Sequence, residues 1–120
     1  MQGRKIFLVG MSPFFYGQYH KKFTQEGSEV FILDNEECCL VEAEKNYPDV
    51  VIIDSSGIRR DLNYIADELI VRQGSEGQVE IVFLIEQVEQ EHFEDKGHRF
   101  FSKLNLTPSE IIERIKLFLK

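Results

Sequence analysis

Nothing in this chain equips it for a membrane or for a nucleic-acid backbone. No apolar stretch approaches the roughly 20 residues that a membrane-spanning helix needs. The N-terminus Met1-Gln2-Gly3-Arg4-Lys5 leads straight into a strand pattern, not into the apolar core of a signal peptide. Gln2 stands where myristoylation would require glycine. Basic residues are in deficit: 14 Lys and Arg face 21 Asp and Glu, a formal net charge of −7, whereas nucleic acid and anionic lipid both call for a basic face. Cysteine is scarce, and Cys38 and Cys39 are neighbours, a spacing that strains a disulfide and does not converge on a metal. One of them is expected to be buried as a small hydrophobe and the other to sit on a helix flank. His20, His92 and His98 share no ligand spacing. These absences exclude a nitrogen or sulfur metal site and leave the cytoplasm as the expected location.

What is present is an alternation of strands and helices. Lys5–Gly10 reads as a first strand, and Ser12-Pro13 as a helix start with serine as cap and proline at the first helical position. Tyr16, Tyr19, His20 and Phe23 follow at helical spacing up to Gly27. Ser28–Leu33 is a second strand. Asp34 or Asn35 caps a helix with Leu40, Ala43 and Tyr47 on one face, which Pro48 stops. Val50-Val51-Ile52-Ile53-Asp54 is a third strand. Ile58, Leu62, Ile65, Ala66, Leu69 and Ile70 give a third helix, and Val79–Ile85 a fourth strand. A short acidic fourth helix is expected over 87–96 and a fifth strand over His98–Ser102. Thr107-Pro108-Ser109-Glu110 is a capping box that opens a last helix packed through Ile111, Ile112, Ile115, Phe118 and Leu119. No repeat, linker or low-complexity tract interrupts residues 1–120, so one domain is expected. The fold class is α/β: a doubly wound, five-stranded parallel sheet of order 2-1-3-4-5, flavodoxin-like, between two helical layers.

In that topology the carboxyl ends of the strands meet at one rim, where open α/β folds place their chemistry. The rim residues are Gly10-Met11-Ser12, Asp54-Ser55-Ser56, Ile85-Glu86 and Ser102-Lys103. Together with Gly97, Phe100 and the start of the last helix, they resemble the receiver domain of two-component response regulators (CheY-like), over essentially the whole chain. The resemblance implies that Asp54 holds the phospho-acceptor position, Lys103 that of the lysine ending the fifth strand, and Phe100 the aromatic switch position. It also marks departures. Gly10 and Met11 stand where receivers carry an acidic pair, and Ile85 where they carry a switch Thr or Ser. Glu86 follows where a small residue is usual, and Leu104 replaces the proline after the lysine. The loop Ser55-Ser56-Gly57-Ile58-Arg59-Arg60 lacks the usual proline.

Magnesium asks for several hard oxygens in octahedral array. Asp54 is its one side-chain ligand by this reading, with Glu86 as an auxiliary carboxylate from another strand. No cofactor is expected, and magnesium would be held weakly, through Asp54. The expected function is a pseudo-receiver: a signalling domain of the two-component or phosphorelay type acting by protein–protein contact, not an enzyme, without efficient phosphorylation. The alternative is a working receiver phosphorylated at Asp54 by a histidine kinase. A reading from another class, a small flavodoxin-like cofactor binder, lacks a phosphate-cradling loop, since Gly10-Met11-Ser12-Pro13-Phe14 offers one glycine and one hydroxyl.

An Asp54–Lys103 pair has two readings, a structural pin between the third and fifth strands or a residual phosphorylation or ligand site. At 4 Å such charges attract by about 4 kcal/mol at an effective dielectric near 20, before desolvation is subtracted. Phe14, Phe15, Tyr16 and Tyr19 read mainly as core of the first helix, with an apolar lid or docking patch as the alternative. The resemblance implies a protein partner, or a second copy of the chain, on the face made by the fourth helix, fifth strand and last helix. The acidic run from Glu86 to Glu91 reads as a solvated face that steers a basic partner.

Overall fold

Val50-Val51-Ile52-Ile53 has no polar side to turn toward water, so it is stable only where both faces are covered. It is the centre of the sheet. The computed structural model describes residues 3–57, 62–73, 79–85, 99–102 and 106–118. In chain order these form β1 (Lys5–Val9), α1 (Pro13–Gln25), β2 (Glu29–Leu33), α2 (Glu36–Lys45), β3 (Val50–Asp54), a 3₁₀ turn (Ser55–Gly57), α3 (Leu62–Gln73), β4 (Glu80–Ile85), β5 (Arg99–Ser102) and α4 (Pro108–Phe118). The strands are all parallel in the order β2-β1-β3-β4-β5. Four α-helices lie among the described residues where the sequence predicts five; the predicted helix over 87–96 lies outside them. No helix among the described residues is long and apolar enough to cross a membrane.

The period-2 geometry of the strands sorts their side chains into two layers. Phe7, Val9, Val51, Ile53, Phe83 and Ile85 pack toward α2 and α3, against Cys39, Leu40, Ile65 and Leu69. Ile6, Leu8, Ile52, Val82 and Leu84 pack toward α1 and α4, against Tyr19, Phe23, Ile111 and Ile115. Asp54 continues the second series, so the pleat aims its carboxylate at the α1–α4 side. Cys39 is buried and Cys38 exposed, as their positions on one helix predict.

Local signals fix the helix ends. Pro13 opens α1, although the Ser12 side chain makes no capping bond; the Ser12 carbonyl accepts from the Phe15 and Tyr16 amides instead. Gly27 at φ +86° closes α1. Its amide donates to the Thr24 carbonyl and the Ser28 amide to the Phe23 carbonyl, the paired bonds of a Schellman turn. Asn35, not Asp34, caps α2, accepting from the Cys38 amide at 2.9 Å. That helix ends at Lys45, two residues short of the predicted face, and leaves Tyr47 exposed. Ile70 of α3 is likewise exposed, not core. At α4 the capping box is complete: the Thr107 amide donates to Glu110 Oε1 at 3.0 Å, and the Glu110 amide donates to Thr107 Oγ1 at 3.2 Å. Thr107→Ala removes one of these bonds and is expected to cost about 1 kcal/mol, read as a lower urea midpoint at unchanged m-value. A stability change near zero would show that α4 is held by packing alone.

Candidate functional site

β3 delivers Asp54 to the carboxyl rim. The residue is buried, 2% exposed. Oδ1 accepts from the Ser56 amide at 3.0 Å and from Ser56 Oγ at 2.7 Å, which folds the chain back on itself into the 3₁₀ turn after the strand. Across the sheet, Asp54 is in register with Leu84 of β4. Above it Tyr19 and Phe15 descend from α1, and Leu106, Pro108 and Ile111 close in from α4 and the turn before it. Together they line a small, half-open pocket of about 20 Å³, room for a single water. Burial pushes the Tyr19 phenol far above its usual range, and the neighbouring Asp54 carboxylate pushes the same way.

The rim beside Asp54 is built by β1. After Val9 the backbone turns at Gly10, at φ +73°, and the Gly10 amide donates to the Leu33 carbonyl at 3.0 Å. This is left-handed backbone, which glycine adopts freely and which costs other residues about 1–2 kcal/mol. The rim position after β1 is therefore shaped as a glycine turn. Met11 follows and lays its side chain against the α1–α4 core, half-buried. Among the described residues no group of three or more His, Cys, Asp or Glu converges on a possible metal site. The described rim thus offers one carboxylate beside a glycine and a thioether, whereas magnesium demands hard oxygens on several sides.

The predicted site residues are thus brought together in part. Gly10, Met11 and Asp54 lie at one rim. Ile85 does not join them: it packs in the α2–α3 layer with Val9 and Ile53, and the β4 side chain on the side of Asp54 is Leu84. The reason is parity, since consecutive strand residues face opposite ways. Leu84 and Ile85, the last two residues of β4, both carry hydrocarbon side chains and no hydroxyl. Phe100 takes its place in β5 in register with Phe83. Lys103 and Glu86 lie outside the described residues. Of the four aromatics after β1, Tyr19 is buried and Tyr16 half-buried, whereas Phe14 is 77% exposed and Phe15 lies at the surface over the cavity. Ser56, Tyr19 and Leu84 are the contacts of Asp54 that sequence reasoning did not assign to it. A serine two residues after a strand-end aspartate was the available signal for the first.

Among the solved structures that superpose on this chain are several receivers. The chemotaxis protein CheY4 of Vibrio cholerae superposes with a TM-score of 0.74 at 15% identity, covering 97% of this chain and 98% of that one. The receiver domain of a sensor histidine kinase from Pseudomonas aeruginosa, with magnesium coordinated in its active-site cleft, gives 0.74 at 19% identity over 97% of each chain. A CheY-like receiver domain from Methanospirillum hungatei gives 0.74 at 16% identity over 95% of this chain and 91% of that one. No protein-family model and no curated protein matches the sequence. The chain has the CheY-like receiver fold.

Proposed function

We propose that this chain is a receiver-like signalling domain of the two-component or phosphorelay type that works by protein–protein contact, without efficient phosphorylation of Asp54. One observation carries the reading. Asp54 is 2% exposed beneath Phe15, Tyr19, Leu84 and Ile111, against a small, half-open pocket of about 20 Å³. Phosphoryl transfer needs in-line access to the acceptor and cations to offset charge on three equatorial oxygens. An apolar roof supplies neither. Gly10 and Met11 support the same conclusion, since neither brings a negative charge to the rim. What remains of a receiver is a rigid sheet presenting helical faces, which suits a contact module in the cytoplasm with no enzymatic activity of its own. The proposed partner surface is the side of the sheet edge where β5 meets α4, on which the sequence also places its expected helix over 87–96; Leu117 on α4 is 67% exposed.

The working-receiver reading has one observation in its favour, the survival of a carboxylate at the end of the central strand. The two separate in a titration of the ¹⁵N-labelled chain with magnesium and then beryllofluoride, followed by amide shifts. The pseudo-receiver reading expects no saturable change at Gly10, Asp54 or Ser56 at millimolar metal. Saturable shifts there, growing on addition of beryllofluoride, would establish a rebuilt pocket in which Glu86 is the carboxylate to replace next.

A further inference from the structure

The two helical layers differ in what they show to solvent. Nine large apolar side chains stand exposed among the described residues, and five of them lie on the α2–α3 side. They are Val41 on α2, Tyr47 two residues past its end, and Tyr64, Ile70 and Val71 on α3. Single exposed apolar residues are ordinary, but a group of them sharing one layer is not. The two helices return from the carboxyl rim to the start of the next strand, so they point the same way, and α2 packs directly beside α3. Tyr64 and Val71 are seven residues apart, which sets them on one stripe of α3 about 10 Å apart. Asp67 and Glu68 stand between them, about one turn from each. On α2, Val41 has Glu37 and Glu44 about one turn to either side; all three are exposed. Charge divides the same way as exposure. The two helices α2 and α3 hold six acidic and two basic residues, whereas α1 and α4 hold two acidic and four basic ones.

We propose that the outer face of α2 and α3 is a docking surface for a basic amphipathic helix of another protein. Its apolar side chains would cover Val41, Tyr64 and Val71, and its Lys or Arg side chains would meet the acids between them. Charge complementarity carries the choice of occupant. A second copy of this chain would set the same six acids against each other, a like-charge contact that opposes pairing. A basic helix is attracted here and repelled by the excess of bases on α1 and α4, which confines it to this layer. Spacing carries the choice of conformation. Apolar anchors two turns apart on α3, with Val41 on the parallel neighbour, suit a helix laid along the pair, which presents its own anchors at intervals of three, four and seven residues. Tyr64 adds an aromatic contact of the kind that dominates interface energetics. The inference rests on the reading of the chain as a contact module, yet it is tested apart from it. A phosphoryl adduct at Asp54 would overturn that reading and leave binding on α2 and α3 untouched.

The test uses a fluorescein-labelled synthetic helix with Leu on one face and Lys on the other, and a counterpart with Glu for every Lys, against the full chain. The lysine peptide is expected to bind with amide shifts confined to α2, α3 and Tyr47, and more weakly as salt rises. The glutamate peptide is expected not to bind. The double variant Glu44→Lys, Asp67→Lys should weaken binding at least about tenfold, and Tyr64→Ala with Val71→Ala should weaken it at unchanged net charge. Glu113→Lys, on α4, should leave it unchanged. All five positions are exposed, so the variants are expected to fold, as checked by circular dichroism. Equal binding to wild type and the charge-reversed variant, shifts on another face, or no binding at low salt would overturn the proposal. So would self-association through α2 and α3, which would make a second copy the occupant.

Discussion

Raising the pH from about 8 to about 12 is expected to remove several kcal/mol of folding stability, a large share of the 5–15 kcal/mol typical of a domain. Two buried acids are responsible. Burial, with a smaller contribution from the adjacent Cys38, pushes the Cys39 thiol up to about 12. Burial, and then the Asp54 carboxylate, pushes the Tyr19 phenol higher still. In the unfolded chain these groups ionise near about 8.5 and 10, while in the folded chain they stay protonated. Above those values the unfolded state binds fewer protons than the native one, so stability falls as pH rises. The contribution is whole below the unfolded values and is lost as pH climbs through the folded ones. Cys39 alone accounts for about 4 kcal/mol at the alkaline limit. Urea midpoints measured at intervals across this range should fall steadily in the wild type and less in Cys39→Ala and Tyr19→Phe. The substitutions alter overall stability too, so the slope against pH is the readout. Parallel slopes in all three would mean that neither group stays neutral in the fold.

Phe23→Ala is the second large effect. Phe23 is fully buried in the α1–α4 layer, and its ring stacks on Tyr19 with centroids 6.4 Å apart and planes 22° from parallel. Truncating a core phenylalanine leaves a cavity that the surrounding helices close only in part, and costs about 3–5 kcal/mol. Guanidinium unfolding should show that loss, or a chain already partly unfolded at 25 °C. Phe14→Ala, nine residues earlier on the same helix, should shift stability by no more than about 0.5 kcal/mol, because its ring already stands in water. A small loss at Phe23 would contradict the packing described here. A large one at Phe14 would mean that its ring is covered.

The contrast between these phenylalanines marks how far the sequence could be read. Signals carried by a few adjacent residues were legible: the capping box at Thr107, proline at the start of α1, glycine at its end. The four-residue apolar run of β3 identified the central strand, and alternation of strands with helices gave the sheet order. Phase was harder. Ile81-Val82-Phe83-Leu84-Ile85 is apolar on both faces, so nothing in its pattern says which residue stands beside Asp54, and Leu84, not Ile85, does. The choice between Asp34 and Asn35 as cap depended on one hydrogen bond. Phe14 was expected with the core aromatics, yet it sits on the stripe of Lys21 and Gln25, a placement that periodicity alone allowed. Gly10 was read as a missing acid. Its positive φ adds that the backbone itself turns there. The expected fourth helix, Lys103 and Glu86 lie outside the described residues.

The central claim is that a receiver fold here carries a silent acceptor beneath an apolar roof. Intact mass after incubation with acetyl phosphate, with and without magnesium, tests it most directly, beside Asp54→Ala as the reference. Wild type and Asp54→Ala are expected to keep the same unmodified mass under both conditions. A rapid, magnesium-dependent phosphoryl adduct on the wild type alone would contradict it and make the chain a working phospho-switch.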